Sequence, residues 1–248
     1  NMNDVCMLEW INKCEQFIQD YQSQHKWNEQ QCMYIMWLGI VSTKYLNSIV
    51  LEKYIEILPK LSLVDKIRIN NRMSCNPALT IEMLSTYPEF KWKFNHISSK
   101  HMNINDILNH SELKWDWNCV SENLSVTMDV VLSNVDKPWD WRCLSRHPNI
   151  TMSDIEFHMD LPWSWGGVSC NPNVTMTMIE SHPDEEWDWD GISQHMKLTV
   201  DILRQYPGKP WNFNLITRNN PSLTLELLLA TPDLPWNYGS LSSNPCLT

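Results

Sequence analysis

A pair of aromatic residues separated by one position recurs along most of the chain. The first member is Trp in every copy, and the steps between successive copies are 23, 24, 24, 24, 24 and 25 residues. A fixed period of this kind indicates a repeat architecture, in which each copy is one supersecondary unit. The seven pairs are Trp92/Phe94, Trp115/Trp117, Trp139/Trp141, Trp163/Trp165, Trp187/Trp189, Trp211/Phe213 and Trp236/Tyr238.

Two further positions keep the same frame. A Ser or Thr stands six residues after the first Trp: Ser98, Ser121, Ser145, Ser169, Ser193, Thr217 and Ser242. After a mostly Asn-Pro or His-Pro pair, a second position is Thr: Thr127, Thr151, Thr175, Thr199, Thr224 and Thr248. A degenerate earlier copy with Ser74, Asn76 and Thr80 places the start of the array near Arg68, so residues 68–248 hold about seven and a half copies.

Each copy has the signals of two short helices. The residue between the aromatics is a good N-cap in six copies, namely Asp116, Asp140, Ser164, Asp188, Asn212 and Asn237, and only Lys93 departs. The first helix should then run for about seven residues to the Pro-containing break. The Thr should cap the second helix. The expected fold is therefore all-α, an α-solenoid of 24-residue, two-helix repeats.

Apolar residues one and four positions after the Thr should form an inward stripe at helical spacing. The pairs are Met128/Val131, Met152/Ile155, Met176/Ile179, Val200/Leu203 and Leu225/Leu228. Residues 1–67 lack the repeat but also show helical spacing. They are expected to form a helical N-terminal cap for the array, with a separate docking module as the alternative.

The tryptophans allow two interpretations. A row of exposed indoles could stack nucleobases or sugars. We favour a structural role, in which the rings fill the layers between helix pairs and each N–H binds a nearby loop carbonyl. The predicted core tryptophans are Trp92, Trp115, Trp117, Trp139, Trp141, Trp163, Trp165, Trp187, Trp189, Trp211 and Trp236.

Composition and motifs exclude several function classes. The net charge of −10, without a Lys- or Arg-rich run, argues against DNA as a partner and disfavours RNA. No hydrolase, zinc-protease or phosphate-loop motif occurs, and the polar residues mostly recur in register as caps. We therefore expect no enzyme activity, no catalytic residue and no cofactor.

Neither the cysteines nor the apolar segments indicate a metal site or a membrane span. Eight cysteines include no C-x-x-C pair, so neither a zinc site nor another metal site is expected. Cys119 and Cys143 share one repeat position and Cys75 and Cys170 another, which favours free thiols in a reducing compartment. The most apolar stretch, residues 32–41, is about half the length of a membrane span, so no membrane partner is expected.

The copies at residues 138–151 and 162–175 read PWDWRCLSRHPNIT and PWSWGGVSCNPNVT. They resemble the tandem P-W-x-W-x-x-L-S-x-N-P-N-x-T repeats in proteins of giant DNA viruses of amoebae, a family without an assigned function. The resemblance covers residues 68–248 and implies a viral repeat scaffold located in the host cytoplasm, the viral factory or the virion. It brings no catalytic residues.

The leading hypothesis is a scaffold or adaptor that binds a host or viral protein. A structural part of a viral particle or factory is a second hypothesis, and a helical-repeat binder of single-stranded RNA is a third. Specificity should lie three and seven positions after the first Trp, where the copies differ; we call these positions the first-helix face. The candidate binding residues are Arg142, Arg146, Gln194 and Arg218.

If the tryptophans are structural, Trp139→Ala and Trp163→Ala should each lower the free energy of unfolding by about 3–5 kcal/mol, the range for large-to-small core changes. Arg142→Ala and Arg146→Ala, on the outer face, should change it by about 0.5 kcal/mol or less. Urea denaturation measures both effects. Trp variants that keep the wild-type midpoint but lose a partner would show that the indoles are ligand contacts.

Overall fold

The structure is a computed structural model that describes residues 2–25, 28–100 and 102–247. The regular structure in these residues is entirely helical, which confirms the all-α class. The chain divides into two compact units, Asn1–Cys119 and Val120–Thr248. The boundary near residue 67 marks where the repeat motif begins in the sequence, and the packing units do not separate there.

The first unit begins with long helices and continues with short ones. Its helices are α1 (Met2–His25), α2 (Glu29–Ile40), α3 (Ser48–Ile57), a 3-10 turn (Leu58–Lys60), α4 (Leu63–Ser74), α5 (Ile81–Thr86), α6 (Phe94–Lys100) and α7 (Ile104–Asn109). Helix α8 (Trp117–Val120) spans the boundary between the units. The core of this unit includes the fully buried Trp37, Tyr54 and Phe90. The ring centroid of Tyr54 lies 5.5 Å from that of Trp37 and 5.6 Å from that of Phe90.

The second unit contains two short helices in each complete copy of the repeat. They are α9 (Met128–Leu132), α10 (Trp141–Ser145), α11 (Met152–Phe157), α12 (Trp165–Val168), α13 (Met176–Ser181), α14 (Trp189–His195), α15 (Val200–Gln205), α16 (Phe213–Asn219) and α17 (Leu225–Ala230). In the last copy, a 3-10 helix (Tyr238–Ser243) replaces the first of the two α-helices.

The predicted first-helix length of about seven residues is right for α14 and α16 but wrong for α10 and α12, which have five and four residues. Proline contributes to the difference, because it disfavours helical geometry in the residue before it. The copies of α10 and α12 have Pro148 and Pro172 soon after the serine position, whereas α14 is followed by Met196 instead. In the copy of α16 one extra residue moves Pro221 further away. Proline does not account for α8, which has four residues although no proline follows its serine in the loop.

The predicted N-caps are present in the described part of the array except at Asn237, whose side chain makes no cap bond to the 3-10 helix that follows it. Five residues between the aromatics accept a backbone N–H at the start of the following helix, namely Asp116, Asp140, Ser164, Asp188 and Asn212. Six threonines accept the N–H three residues later, namely Thr80, Thr127, Thr151, Thr175, Thr199 and Thr224. Thr248 lies outside the described residues.

The inward stripe is confirmed except at its C-terminal end. Both members of the first three pairs are buried, Val200 is half-buried and Leu203 is buried. Leu225 was predicted to be inward, but 64% of it is exposed. The physical reason is that α17 buries Leu227 and Leu228, so residues 225 and 229, one helical turn apart, share the opposite face.

The serine position connects each copy to the next. Its hydroxyl oxygen accepts the backbone N–H of the residue between the aromatics of the following copy. The bonds are Ser74 to Lys93 and Ser98 to Asp116 in the first unit, and Ser121 to Asp140, Ser145 to Ser164, Ser169 to Asp188, Ser193 to Asn212 and Thr217 to Asn237 in the second. All seven hydroxyl residues are fully buried, so the bonds are shielded from water.

The same hydroxyl also donates within its own helix. Ser145, Ser169 and Thr217 donate to the carbonyl four residues earlier at 2.6–2.8 Å. One buried oxygen therefore satisfies a carbonyl in one copy and an amide in the next, at a position where an unpaired group would be costly.

We expect Ser169→Ala to lower the free energy of unfolding by about 1–3 kcal/mol, because the Asp188 amide loses its buried acceptor. Ser181→Ala, at an exposed position in the same copy, is the matched control and should have little effect. Urea denaturation of the two variants provides the comparison. Equal midpoints for the two variants would contradict a stabilising role for the serine position.

Candidate interaction surface

The first Trp of every copy is tied to the end of the preceding helix. Its indole Nε1–H donates to the carbonyl five residues earlier at 2.7–2.9 Å, as expected for a ring anchored to a loop carbonyl. The pairs are Trp92 to Tyr87, Trp115 to His110, Trp139 to Asn134, Trp163 to His158, Trp187 to His182, Trp211 to Tyr206 and Trp236 to Thr231. These carbonyls follow short second helices and would otherwise need another donor.

The second aromatic of one copy packs on the first Trp of the next. The ring centroids lie 5.0–5.3 Å apart in edge-on geometry for Phe94/Trp115, Trp141/Trp163, Trp165/Trp187, Trp189/Trp211 and Phe213/Trp236. Trp92, Trp115, Trp139 and Trp236 are buried, and Trp117, Trp141, Trp163, Trp165, Trp187, Trp189 and Trp211 are half-buried. The rings thus contact one another edge to face, an arrangement that itself stabilises packing.

A buried asparagine position, which follows the serine position in the loop between the helices, forms a second set of bonds. Asn171 donates to the carbonyls of Ser145, His147 and Ile150 in the preceding copy and accepts the amide of Asn173. Asn76, Asn220 and Asn244 make the same kinds of bonds. The recurring Asn-Pro pair was visible in the sequence, but its role as a link between copies was missed.

His147 occupies the asparagine position in one copy and reproduces its bonds. Its Nε2 contacts the Asn123 carbonyl at 3.1 Å, and its Nδ1 accepts the Asn149 amide at 3.1 Å. These partners require a neutral ring with the proton on Nε2. Burial lowers the pKa of His147, against a smaller opposing effect of its bond to the Asn123 carbonyl. The neutral state is therefore favoured by burial and by the Asn149 amide, which needs an unprotonated Nδ1.

The candidate binding residues lie on the first-helix face but do not form one pocket. Arg142 and Arg218 are exposed, and Gln194 is half-buried. Arg146 is also exposed, but its guanidinium forms an ion pair with Glu122, which stands at the same position of the preceding copy. This pairing was not anticipated from the sequence, and it leaves Arg142 and Arg218 as the more available cations.

Three glycines lie at or next to positions of the first-helix face. An added Cβ at Gly166 would meet no atom within 4 Å, so this position is open. At Gly167 it would lie 2.8 Å from the Arg142 carbonyl oxygen, and at Gly191 it would lie 2.8 Å from the Cys170 sulfur. Gly167 and Gly191 therefore allow neighbouring first helices to approach closely, and the exposed Gly166 leaves its position on the face without a side chain.

The thiols of Cys143 and Cys170, in the first-helix region, have little nucleophilic character. Burial and the nearby Asp140 raise the pKa of Cys143 to about 11. Burial and Asp188 also raise the pKa of Cys170, although Arg146 and Arg142 act in the opposite direction. Because the thiolate is the reactive form, both side chains are suited to packing at neutral pH.

Among the residues that the structure describes, no group of three or more His, Cys, Asp or Glu side chains is placed to hold a metal ion. None of the described helices is both long and apolar enough to cross a membrane.

Comparison with protein-family models, curated proteins and solved structures gives no match for this chain. The resemblance to viral Trp-rich repeats therefore stays a prediction from the motif. Function has to be argued from the geometry of the chain itself.

His147→Asn should reduce the pH dependence of stability. The unfolded ring, with an ordinary pKa of about 6.5, binds a proton more readily than the folded ring, so wild-type stability should fall as the pH drops through that value. Urea midpoints at about pH 7.5 and about pH 5.5 test this, because asparagine does not titrate. Some slope should remain from His195, whose pKa is lowered by burial and by Arg146. His96→Asn, at an exposed position, is the matched control.

A wild-type midpoint that does not change between the two pH values would contradict this account of His147.

Proposed function

We propose that the chain is a non-enzymatic scaffold built as an α-solenoid of two-helix repeats, which binds a protein partner along its first-helix face. The supporting observation is that the recurring positions and the variable positions of the repeat make different contacts. The recurring Ser, Asn, Trp and Thr residues bind backbone groups of their own or a neighbouring copy. The positions that differ between copies include the exposed Arg142 and Arg218.

The pattern of charge supports a protein partner. The Val120–Thr248 unit contains seven Lys and Arg residues and sixteen Asp and Glu residues, a formal charge of −9. Such a field repels the phosphate backbone of RNA or DNA. The first-helix face itself carries both signs, with Glu122 and Asp190 beside the arginines, which suits a protein surface with alternating charges.

The shape of the candidate face also favours a protein. Arginine is favoured at the centre of interfaces because its planar guanidinium combines hydrogen bonding with apolar contact. The open position at Gly166 lies in the copy after Arg142, and a partner side chain could approach the backbone there. If the viral resemblance is valid, this partner is a host or viral protein in the cytoplasm or viral factory, and assembly into a particle is the second candidate role.

The double variant Arg142→Glu/Arg218→Glu should lose the partner while keeping the fold. Both side chains are exposed, so each change should cost about 0.5 kcal/mol or less in stability. Two interface arginines at hot-spot strength would weaken binding by at least about tenfold. The measurement is capture of partners by immobilised protein from a lysate of the producing cells, with quantitative mass spectrometry.

Lys197→Glu, an exposed change of the same charge in an inter-helix loop, is the matched control and should capture as wild type does. Equal capture by the double variant would contradict the first-helix face. Recovery of RNA that is released by ribonuclease, with no stoichiometric protein, would contradict a protein partner.

A further inference from the structure

Lys93 breaks the capping rule of the array. The residue between the aromatics accepts a backbone N–H in the copies of Asp140, Ser164, Asp188 and Asn212. A lysine ammonium has no acceptor, and its positive charge is unfavourable at a helix N-terminus, where Lys93 stands before α6. Departures from a local rule of this kind concentrate at functional sites.

Lys93 lines a pocket of about 420 Å³ within the first unit. The pocket lies between the end of α3, the outer side of α4 and the segment before α6. Its apolar part consists of Leu58, Leu63, Ile67 and Phe90. Leu63 and Ile67 are 71% and 47% exposed, although they lie one turn apart on an amphipathic helix. A volume of this size accommodates one or two large side chains.

The polar part of the pocket consists mainly of cations. Lys66, Lys91 and Lys93 line it, with Glu89 as the opposing charge. The Oδ1 atoms of Asn70 and Asn71, two further lining residues, are buried and meet no donor among the residues that the structure describes. Because both oxygens are inaccessible, a ligand in the pocket would meet the lysines rather than these amides.

We propose that this pocket, which we call the lysine pocket, docks an acidic segment of a partner protein that inserts a large apolar side chain. The carboxylates of the segment would pair with the lysines, and its apolar side chain would cover Leu63, Ile67 and Phe90.

The apolar part of the pocket favours a peptide over a phosphate-bearing ligand. A phosphate group could pair with the lysines but would leave Leu63, Ile67 and Phe90 uncovered. A peptide offers both carboxylates and apolar side chains. The apolar part of the pocket adds the anchor position that is typical of helix-in-groove recognition. The site does not depend on the first-helix face, because all its residues belong to the Asn1–Cys119 unit.

The test uses the full chain and a fluorescein-labelled synthetic peptide of about twelve residues, with leucine at i, i+3, i+4 and i+7 and glutamate elsewhere. Binding is measured by fluorescence anisotropy at low and high salt. Two comparison peptides have lysine in place of every glutamate, or the same composition with the leucines distributed around the helix. We expect binding of the first peptide only, and weaker binding at high salt.

Lys93→Asp gives the sharpest variant, because it installs the cap used in other copies and removes a pocket cation. It should raise or preserve the thermal midpoint of unfolding while weakening peptide binding. Lys66→Glu/Lys91→Glu should weaken binding at least about tenfold, which corresponds to loss of two charge pairs. Lys114→Glu is the matched control, since Lys114 precedes its Trp as Lys91 does but lies outside the pocket.

Several results would overturn the proposal. These are dissociation constants weaker than about 1 mM for the acidic peptide, equal binding of either comparison peptide, and unchanged affinity in the Lys66/Lys91 variant. Binding of phosphatidylserine vesicles with the same sensitivity to these variants, in the absence of peptide binding, would identify a lipid surface instead. Arg142→Glu/Arg218→Glu should bind the peptide as wild type does, so this proposal and the first-helix face fail independently.

Discussion

The hydrogen bond from a backbone amide to the buried hydroxyl of the preceding copy is the contact that gives the array its continuity. Helices of four to seven residues are too short to persist alone, and their ends leave many backbone groups without partners. The serine hydroxyl occupies the place where a first helix ends and the next copy begins, and it bonds to both. In the inter-helix loop, the asparagine side chain likewise bonds to backbone carbonyls of the preceding copy. After the second helix, the indole N–H bonds to a backbone carbonyl.

These three kinds of bond leave little polar capacity for chemistry inside the array. The hydroxyl, amide and indole groups that recur in every copy are directed at backbone atoms, at distances typical of well-formed hydrogen bonds. The two proposals accordingly place binding outside these recurring groups. The first-helix face uses positions that vary between copies, and the lysine pocket lies where the repeat is degenerate.

Much of this arrangement could be predicted from the sequence because it follows local rules. A Thr directly before a helix caps it, and a Trp that recurs at one position of the repeat needs an acceptor for its N–H when it is buried. The burial of Leu225 was predicted wrongly, because a helix with four leucines can turn more than one pair of leucines toward the core. The pairing of Arg146 with Glu122 was missed, since it depends on the spacing of neighbouring copies in space. Lys93 was visible as an exception, but its neighbours Asn70 and Lys66 are distant in sequence, so only the folded chain shows the pocket.

The serine bond also has a consequence for how such a chain can lengthen. Its two halves, the hydroxyl and the amide that it binds, are 18 to 20 residues apart, which is less than one repeat. A tandem duplication of 24 residues therefore reproduces a complete donor and acceptor set wherever the duplicated segment begins. A duplication that differs by several residues from a whole number of repeats would bring the hydroxyl opposite the wrong amide, whereas the steps of 23 and 25 residues keep the bond. Growth and loss of whole copies are thus the changes that this architecture tolerates, while the variable positions on each copy stay free to diverge.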